Sequence, residues 1–348
     1  MEEIRINRLP LLTYRYLHTN DTPLSFEEPE NGNRPVFSDM TYVREEGCLP
    51  DSFRGGSEEL VRAAKSGRTY TIDIPAGVKT ALTVTAETDE AHPGFRGSFL
   101  FTLGEGAELS LVWRVRGGNE EGTMVFASCC TLAKDAVLRV SRLESGLSRT
   151  AVYDQRQVEC GENARAEFFT AMAGGSTVAL HSFGRLTGDR SSMKEKMIYA
   201  ADRKQHLDLF CHIDQIGQKT EAEILVNGAL DGEAKKVFRG TLNFLRGCAG
   251  SVGDESDYAI QLSPKTKNIS LPLLLCTEDD VQGNHASSSG QLDANTLYFL
   301  MSRGFSLEEA RRIMIESMIR PVIDEMEASV REDVLTDIRA KLDGKENE

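Results

Sequence analysis

The sequence predicts a mainly β protein built as a two-sided parallel β-helix, followed by an α-helical C-terminal region. Three observations support this fold class. Short segments rich in Val, Thr, Phe and Leu follow one another from residue 69 to about 276 with almost no helical periodicity. The turns between these segments recur at a regular interval. From about residue 291 onward, the spacing of apolar residues is helical instead.

The interval between turns indicates which kind of β protein this is. GEGAEL near residue 104, AKDAVL near 133 and GENARA near 161 each place a small or charged turn before an alanine and a new strand, about 28 residues apart. Later turns are about 14 to 15 residues apart, the length of one strand plus one turn. A coil of two such units, stacked on its neighbours, predicts a parallel β-helix. The alternative is a large antiparallel barrel or propeller, which the scarcity of tight Asn-Gly hairpins disfavours.

The same patterns divide the chain into three regions. Residues 1–68 are predicted to be a peripheral N-terminal segment with one short helix, for which Ser57 is the N-cap. Residues 69–290 form the β-helix core, and residues 291–348 form a C-terminal helical domain.

The helical domain has recognisable start signals. Asp293 is placed to cap its first helix, and Ser306 with Glu309 forms a capping box that starts the second. Pro321 is expected to kink or interrupt that second helix. The apolar face between Ile313 and Met326 is wider than one core contact requires. Two interpretations stay open: the helices cover the open end of the solenoid, or they present a docking surface to a partner.

Composition narrows the class of function. The chain has 348 residues and a formal net charge of −14, which disfavours a surface for nucleic acid or anionic membrane. Its seven cysteines include no C-x-x-C pair, so neither a disulfide framework nor a zinc knuckle is predicted. The first residues lack the features of a signal peptide, and no apolar run is long enough to span a membrane. We therefore expect a cytoplasmic protein with buried free thiols.

The motifs of common enzymes are missing from the sequence. There is no G-x-S-x-G elbow, no phosphate-binding loop and no H-E-x-x-H zinc motif. Cys129-Cys130 and Cys211-His212 lie in predicted strands, where neighbouring side chains point to opposite faces, so neither pair is expected to bind one metal ion. The acidic run from Glu278 to Asp280 is more simply explained as a charged turn.

One histidine stands apart. His285 follows Gly283 and Asn284, which permit unusual backbone geometry, and precedes a run of small residues that would bury little of it. An accessible neutral imidazole can ligate a metal ion, so His285 is the candidate metal ligand of this chain.

Two stretches of sequence resemble a known family. EDDVQGNHASSSGQLDANTLYFLMSRGFSLEEARRIMIESMIRPVIDEM (278–326) resembles the C-terminal signature of the SufB/SufD family of iron–sulfur cluster assembly proteins. AEILVNGALDGEAKKVFRGTLNF (222–244) resembles a strand region of the same family. Residues 69–221 resemble the family mainly in their succession of short strand-like segments. The resemblance implies a right-handed parallel β-helix with a helical C-terminal region.

The resemblance also implies a role as a non-catalytic assembly scaffold. Family members SufB and SufD pair through their β-helices, and each docks the ABC-type ATPase SufC through its C-terminal helices, so ATP hydrolysis is expected in the partner. No cofactor is expected to bind tightly to this chain alone; iron or an iron–sulfur cluster would be held transiently in the complex. The residues expected to dock the ATPase are Ile313, Met314, Met318, Ile319 and Val322.

Details of the signature favour the SufD branch of the family. SufB proteins resemble E-H-E-A where this chain has Asn284-His285-Ala286-Ser287, and Asp257 or a near neighbour stands where SufB has a functional cysteine. SufD members are described with an interface histidine, which His285 matches. Some also carry a cysteine two residues earlier, where this chain has Gly283. The resemblance therefore implies that His285 acts with ligands supplied by the partner.

Two other hypotheses remain open. The first is a SufB-like scaffold that pairs with itself, in which case the isolated chain would form a homodimer and gain a cluster alone; the lack of a cysteine between Cys248 and Cys276 argues against it. The second is a β-helix carbohydrate lyase or hydrolase, which the helical tail disfavours.

Overall fold

A computed structural model describes residues 2–12 and 18–343. The remaining parts of the predicted N-terminal segment and C-terminal domain lie outside the described residues. Two nine-stranded sheets and about eight turns of chain form a β-solenoid, which confirms the predicted fold class.

The strands alternate between the two sheets along the chain. Even-numbered strands from β6 to β20, with β3 at one edge, form sheet A, and odd-numbered strands from β5 to β19, with β4 at one edge, form sheet B. A separate hairpin consists of β1 and β2. The strands are β1 (Glu2–Ile6), β2 (Thr22–Phe26), β3 (Val36–Phe37), β4 (Val43–Arg44), β5 (Arg68–Ile74), β6 (Lys79–Glu87), β7 (Phe95–Leu103), β8 (Glu108–Gly117), β9 (Gly122–Leu132), β10 (Val137–Gly146), β11 (Thr150–Cys160), β12 (Arg165–Met172), β13 (Thr177–Leu186), β14 (Ser192–Ala201), β15 (His206–Gln215), β16 (Glu221–Leu230), β17 (Lys235–Phe244), β18 (Ser251–Gln261), β19 (Lys267–Cys276) and β20 (Val281–Gly290).

The strand register confirms the predicted repeat. Val137 of β10 pairs with Glu108 of β8 on one side and Arg165 of β12 on the other, at offsets of 29 and 28 residues. Every pairing from β5 to β20 is parallel, and among the residues that the structure describes, antiparallel pairs occur only at the short edge strands and in the β1–β2 hairpin. The antiparallel barrel or propeller is therefore wrong for this chain.

The stacked turns explain why the repeat is visible in the sequence. Gly106, Asp135 and Asn163 occupy the same position in successive coils and have φ angles of 65°, 57° and 54°. The N–H of Asp135 donates to the carbonyl of Glu162 at 2.9 Å, and the equivalent bond of Gly106 to Lys134 is also 2.9 Å. Gly, Asn and Asp are the residues that best tolerate this left-handed conformation. The repeat therefore comes from the backbone geometry of the turns.

The interior between the sheets is apolar at one end and becomes more polar toward the other. Phe99 and Trp113 pack edge to face with ring centroids 4.6 Å apart in the early coils. Farther along, Arg156 donates to Asp154 at 2.6 Å and to Glu195 at 2.8 Å, with all three side chains buried. This ion group makes the middle of the solenoid a charged core rather than a purely apolar one.

The N-terminal segment covers the outer face of sheet B. Helix α1 (Glu58–Ser66) begins at Ser57, whose side chain accepts a hydrogen bond from Leu60 N at 3.2 Å, as predicted. Leu60 and the hairpin pack against Val125 and Tyr153 of sheet B.

The C-terminal helices are α2 (Ala294–Ser302), α3 (Leu307–Glu325) and α4 (Ala328–Leu342). Helices α3 and α4 lie on the outer face of sheet A, and α2 packs against α3. Asp293 caps α2, and the Ser306–Glu309 capping box starts α3, as predicted. Pro321 lies within α3, so it does not interrupt the helix.

The helices do not cover the open end of the solenoid, so that interpretation of their wide apolar face is wrong. Ile319 and Ile323 of α3 pack with Val334 of α4 against Phe169 and Ile198 on the flank of sheet A. The strands that carry these sheet residues have apolar side chains on both faces, so one face packs in the interior and the other packs against the helices. No helix between residues 18 and 343 combines the length and hydropathy needed to cross a membrane.

Candidate functional site

The C-terminal end of the solenoid is open. β19 and β20 are the last strands of their sheets, and nine of the ten residues of β20 are exposed. Within the described part of the chain, no further strand pairs with either of them. Their free edges present unpaired backbone N–H and C=O groups, the usual template for pairing with another chain.

His285 lies in the middle of β20. Residues 281–290 continue the sheet with a parallel register, in which His285 pairs with Glu255 of β18. A Cβ atom built at Gly283 would lie 3.1 Å from Phe244, a residue of the interior cluster, so this face of β20 points inward. His285 is two residues further along and shares that face. It is exposed because no later coil covers it.

Glu255 is buried directly beneath this histidine. The residue is 2% exposed, and neither carboxyl oxygen has a hydrogen-bond partner. Its side chain reaches across the interior to Gly240 of sheet B, where an added Cβ would lie 2.0 Å from Oε1. Burial raises the pKa of Glu255 to about 8, and the charge of Asp257 adds to the rise. The group is therefore mostly a neutral acid at pH 7.

A second acid on the same face is paired. Asp257 forms a buried ion pair with Lys236, whose ammonium group lies 5.2 Å from the centre of the Tyr199 ring. Burial lowers the pKa of Lys236, and Asp257 opposes that effect. Asp257 thus has a counter-ion, whereas Glu255 has none.

The opposite sheet adds neutral oxygen atoms to this end. Asn268 and Ser270 of β19 pair with Lys236 and Phe238 of β17, which places them on the inward face. Asn268 Oδ1 and Ser270 Oγ are buried without a hydrogen-bond partner. Oxygen ligands and one imidazole suit divalent first-row metals. Even so, the described residues contain no group of three or more His, Cys, Asp or Glu side chains placed to hold a metal ion.

The cysteines are free and dispersed. Cys130, Cys160 and Cys211 are buried, and burial raises the pKa of Cys160 to about 12. Cys48 and Cys276 are exposed. Cys211 packs in the interior cluster, whereas the next residue, His212, forms a hydrogen bond with Asp214. The predicted opposite orientation of these two side chains is therefore confirmed.

The acidic run before β20 forms a turn. Glu278 accepts hydrogen bonds from Gly247 N at 2.8 Å and from Asp279 N at 3.0 Å. These hydrogen bonds explain why an acidic residue stands at this turn, and no bound ligand is needed to explain it. This agrees with the charged-turn interpretation.

The predicted docking residues of α3 divide into two groups. Ile319 and Val322 are 0% and 1% exposed because they pack on sheet A, so they cannot also contact a partner, and their assignment is corrected. Ile313 is 37% exposed, and Met314 and Met318 are half-buried.

A larger set of exposed apolar side chains lies on α2, on the connection to α3 and in the first half of α3, and sequence reasoning had singled out only Ile313 among them. It comprises Tyr298, Phe299, Met301, Phe305, Leu307 and Ile313, and we call it the α2–α3 patch. Helix α2 has no buried residue, although its sequence ANTLYFLMS is strongly apolar. A short helix with few polar residues and no clear polar face is the sequence signal that could have identified this surface.

Comparison with known proteins relates this architecture to one family. The family model described as SUF system FeS cluster assembly, SufBD core domain, matches residues 85–318. The iron–sulfur cluster assembly protein SufD of Bacillus subtilis is 28% identical over 187 residues, covering 54% of this chain and 42% of that protein. A SufBD family protein of Mycobacterium leprae is 27% identical over 191 residues, covering 52% of this chain and 49% of that protein. The matched regions thus span about half or less of these relatives.

Proposed function

This chain belongs to the SufBD family of the SUF iron–sulfur cluster assembly system, and from that premise we propose that it is the SufD-type scaffold subunit of a SufB–SufC–SufD complex. The observation that carries the proposal is the open end of the solenoid, where an exposed histidine stands on a strand with a free edge. The carbohydrate-active alternative is set aside because the family is named for cluster assembly.

The SufB-type subunit would pair with this open end. The free edges of β19 and β20 supply the backbone groups for such pairing, and a partner strand would cover the nine exposed residues of β20. His285 would then lie at the junction of the two subunits and contribute its imidazole to iron or a nascent cluster. That cargo passes through the complex and is not held tightly by this chain alone, because most of its ligands would come from the partner.

The SufC-type ATPase would dock on the α2–α3 patch. Its aromatic and aliphatic side chains are the kind that anchor protein interfaces, and α3 joins the patch rigidly to sheet A. ATP hydrolysis would take place in that partner, and this chain would act without catalysis of its own. We place the complex in the cytoplasm.

The test is capture of the partners. The full chain is co-expressed with the SufB-type and SufC-type proteins of the same organism and purified through a tag on this chain. We expect a three-protein complex. Ala286→Lys places a charge on the edge strand β20 and is expected to abolish capture of the SufB-type subunit while leaving SufC-type capture intact. Ala76→Lys, at an exposed turn far from this end, is the matched control and should retain both partners.

The self-pairing alternative is decided by the same preparation. If the chain purifies as a homodimer, captures no SufB-type subunit and gains a cluster chromophore alone with iron and sulfide, the SufD-type assignment is wrong. Capture of both partners, with no cluster on the isolated chain, supports it.

A further inference from the structure

We propose that Glu255 is a metal-binding residue and that, together with His285, it forms a carboxylate–imidazole pair for ferrous iron at the open end of the solenoid. This inference rests on the proposed function and adds a residue of this chain to the same end.

The register places the two side chains within reach of one ion. Glu255 and His285 are paired residues on neighbouring parallel strands, which lie about 4.8 Å apart, and both face the interior. Bonds from a first-row metal ion such as zinc to nitrogen or oxygen ligands are about 2.0–2.2 Å long. Two ligands whose backbones are one strand spacing apart can therefore meet at one ion. The carboxyl of Glu255 lies toward Gly240 in this structure, so the proposed binding requires a change of its side-chain rotamer toward β20.

The buried carboxyl of Glu255 lacks a partner, which leaves both of its oxygens available to a metal ion. A buried carboxyl is normally hydrogen-bonded or paired, because burying it alone is costly. The neighbouring acids follow that rule: Asp257 pairs with Lys236, and Asp254, on the outer face, accepts a hydrogen bond from Asn284 at 2.8 Å. Glu255 has no partner for either oxygen although it is almost completely buried. Among these three acids it alone retains full capacity to bind an ion.

The chemistry of the pair suits ferrous iron. Imidazole is a common ligand of iron and carboxylate a common ligand of hard divalent ions, so a mixed pair accommodates Fe²⁺ without a thiolate. The remaining coordination positions face the open end, where water or ligands of the SufB-type subunit can fill them. The oxygens of Asn268 and Ser270 on the opposite strand can bond to such waters.

The experiment measures metal binding by the full isolated chain under anaerobic conditions. Co²⁺ serves as the spectroscopic probe, and Fe²⁺ is measured by equilibrium dialysis. We expect the wild type to bind one ion per chain, with Kd raised at least about tenfold in both Glu255→Gln and His285→Ala. Asp254→Asn, one residue away but on the outer face, is the matched control and should bind as the wild type does.

A stability measurement checks that substitution of Glu255 leaves the protein folded. Removing an unpartnered buried acid should not harm the solenoid, so Glu255→Leu is expected to raise Tm in the absence of metal and to abolish the Co²⁺ spectrum. Wild-type affinity in Glu255→Gln, or a wild-type chain that binds neither ion, overturns the proposal.

The outcome separates this inference from the proposed function. If the chain captures both partners but Glu255→Gln binds metal normally, only the role of Glu255 fails. If metal binding depends on Glu255 but no SufB-type subunit is captured, the metal pair stands and the SufD-type assignment fails.

Discussion

His285 and Glu255 occupy paired positions on the last two strands of sheet A, and they differ sharply in exposure. The imidazole stands on the exposed strand β20, whereas the carboxyl beneath it is 2% exposed and unpartnered. A complete sheet would cover both positions. The contrast between them marks the point where this solenoid stops and another molecule can continue it.

The buried ion group should be essential for stability. Arg156→Met leaves Glu195 buried without its counter-ion and leaves Asp154 with only the longer contact of 3.5 Å to Arg142, so we expect a loss of about 3–5 kcal/mol in the free energy of unfolding. Arg190→Ala removes an exposed ion pair with Glu162 and should cost less than about 1 kcal/mol. Urea denaturation of the three proteins measures the difference, and equal losses in the two variants would argue against a critical interior pair.

The free energy of unfolding should fall in acid because of one buried histidine. Burial lowers the pKa of His181 to about 3, with a smaller contribution from His212, and its ring stacks on Phe210 with centroids 4.4 Å apart. Below an unfolded pKa of about 6.5 the unfolded chain binds a proton that the folded chain excludes, so stability falls as pH drops from there toward 3.

Substitution of this histidine isolates its contribution. Between pH 7 and 5 the wild type should lose roughly 2 kcal/mol more than His181→Phe, which keeps the stacking but cannot titrate. Urea midpoints at the two pH values provide the measurement. Identical losses for the two proteins would mean that His181 does not carry this dependence.

The left-handed turn geometry can be tested at Asn163. Asn163 has a φ of 54°, a conformation that costs most residues about 1–2 kcal/mol. Asn163→Ala is therefore expected to lower stability by about that amount, whereas Asn163→Gly, which adopts positive φ readily, should lower it less. If thermal unfolding ranks the glycine variant below the alanine variant, the left-handed turn is not what sets the repeat.

The two sides of the helical region should respond differently to alanine. Tyr298→Ala and Phe299→Ala remove exposed side chains and are expected to weaken capture of the SufC-type ATPase with little change in Tm. Ile319→Ala empties a packed site against sheet A and should cost about 2–5 kcal/mol of folding stability. Pull-down and thermal denaturation of the same preparations distinguish these effects.

Thiol labelling should follow burial. Cys48 and Cys276 are exposed and are expected to react with a maleimide in the native state. Cys130, Cys160 and Cys211 are buried, with raised thiol pKa values, and should react only after unfolding. Mass spectrometry of labelled peptides identifies the sites, and rapid native labelling of Cys160 would contradict the closed interior.

The sequence predicted the solenoid because its turns have strict backbone requirements. Residues such as Asp135 and Asn163 recur where the chain needs positive φ, so a periodic signal remains even though the strands themselves vary. The position of the C-terminal helices had no such signal. The apolar face of α3 predicts that the helix is covered, but the sequence alone does not say which surface of the solenoid covers it.

The candidate site was found only in part. His285 stood out by its neighbours, but β20 has almost no β-branched or aromatic residues, so its strand conformation was missed; tertiary pairing decides it. Glu255 was not singled out because one acid in a strand looks like a solvent-facing residue. Only the register reveals that it faces inward beneath the histidine.

The central claim is tested most directly by cluster assembly in the three-protein complex with wild-type chain and with His285→Ala. Cluster absorbance per complex is measured after anaerobic reconstitution, with His92→Ala, an exposed histidine far from the open end, as the control. The proposed role predicts an intact complex with a markedly lower cluster yield for His285→Ala and normal yield for the control. Full cluster yield from the His285→Ala complex would contradict it.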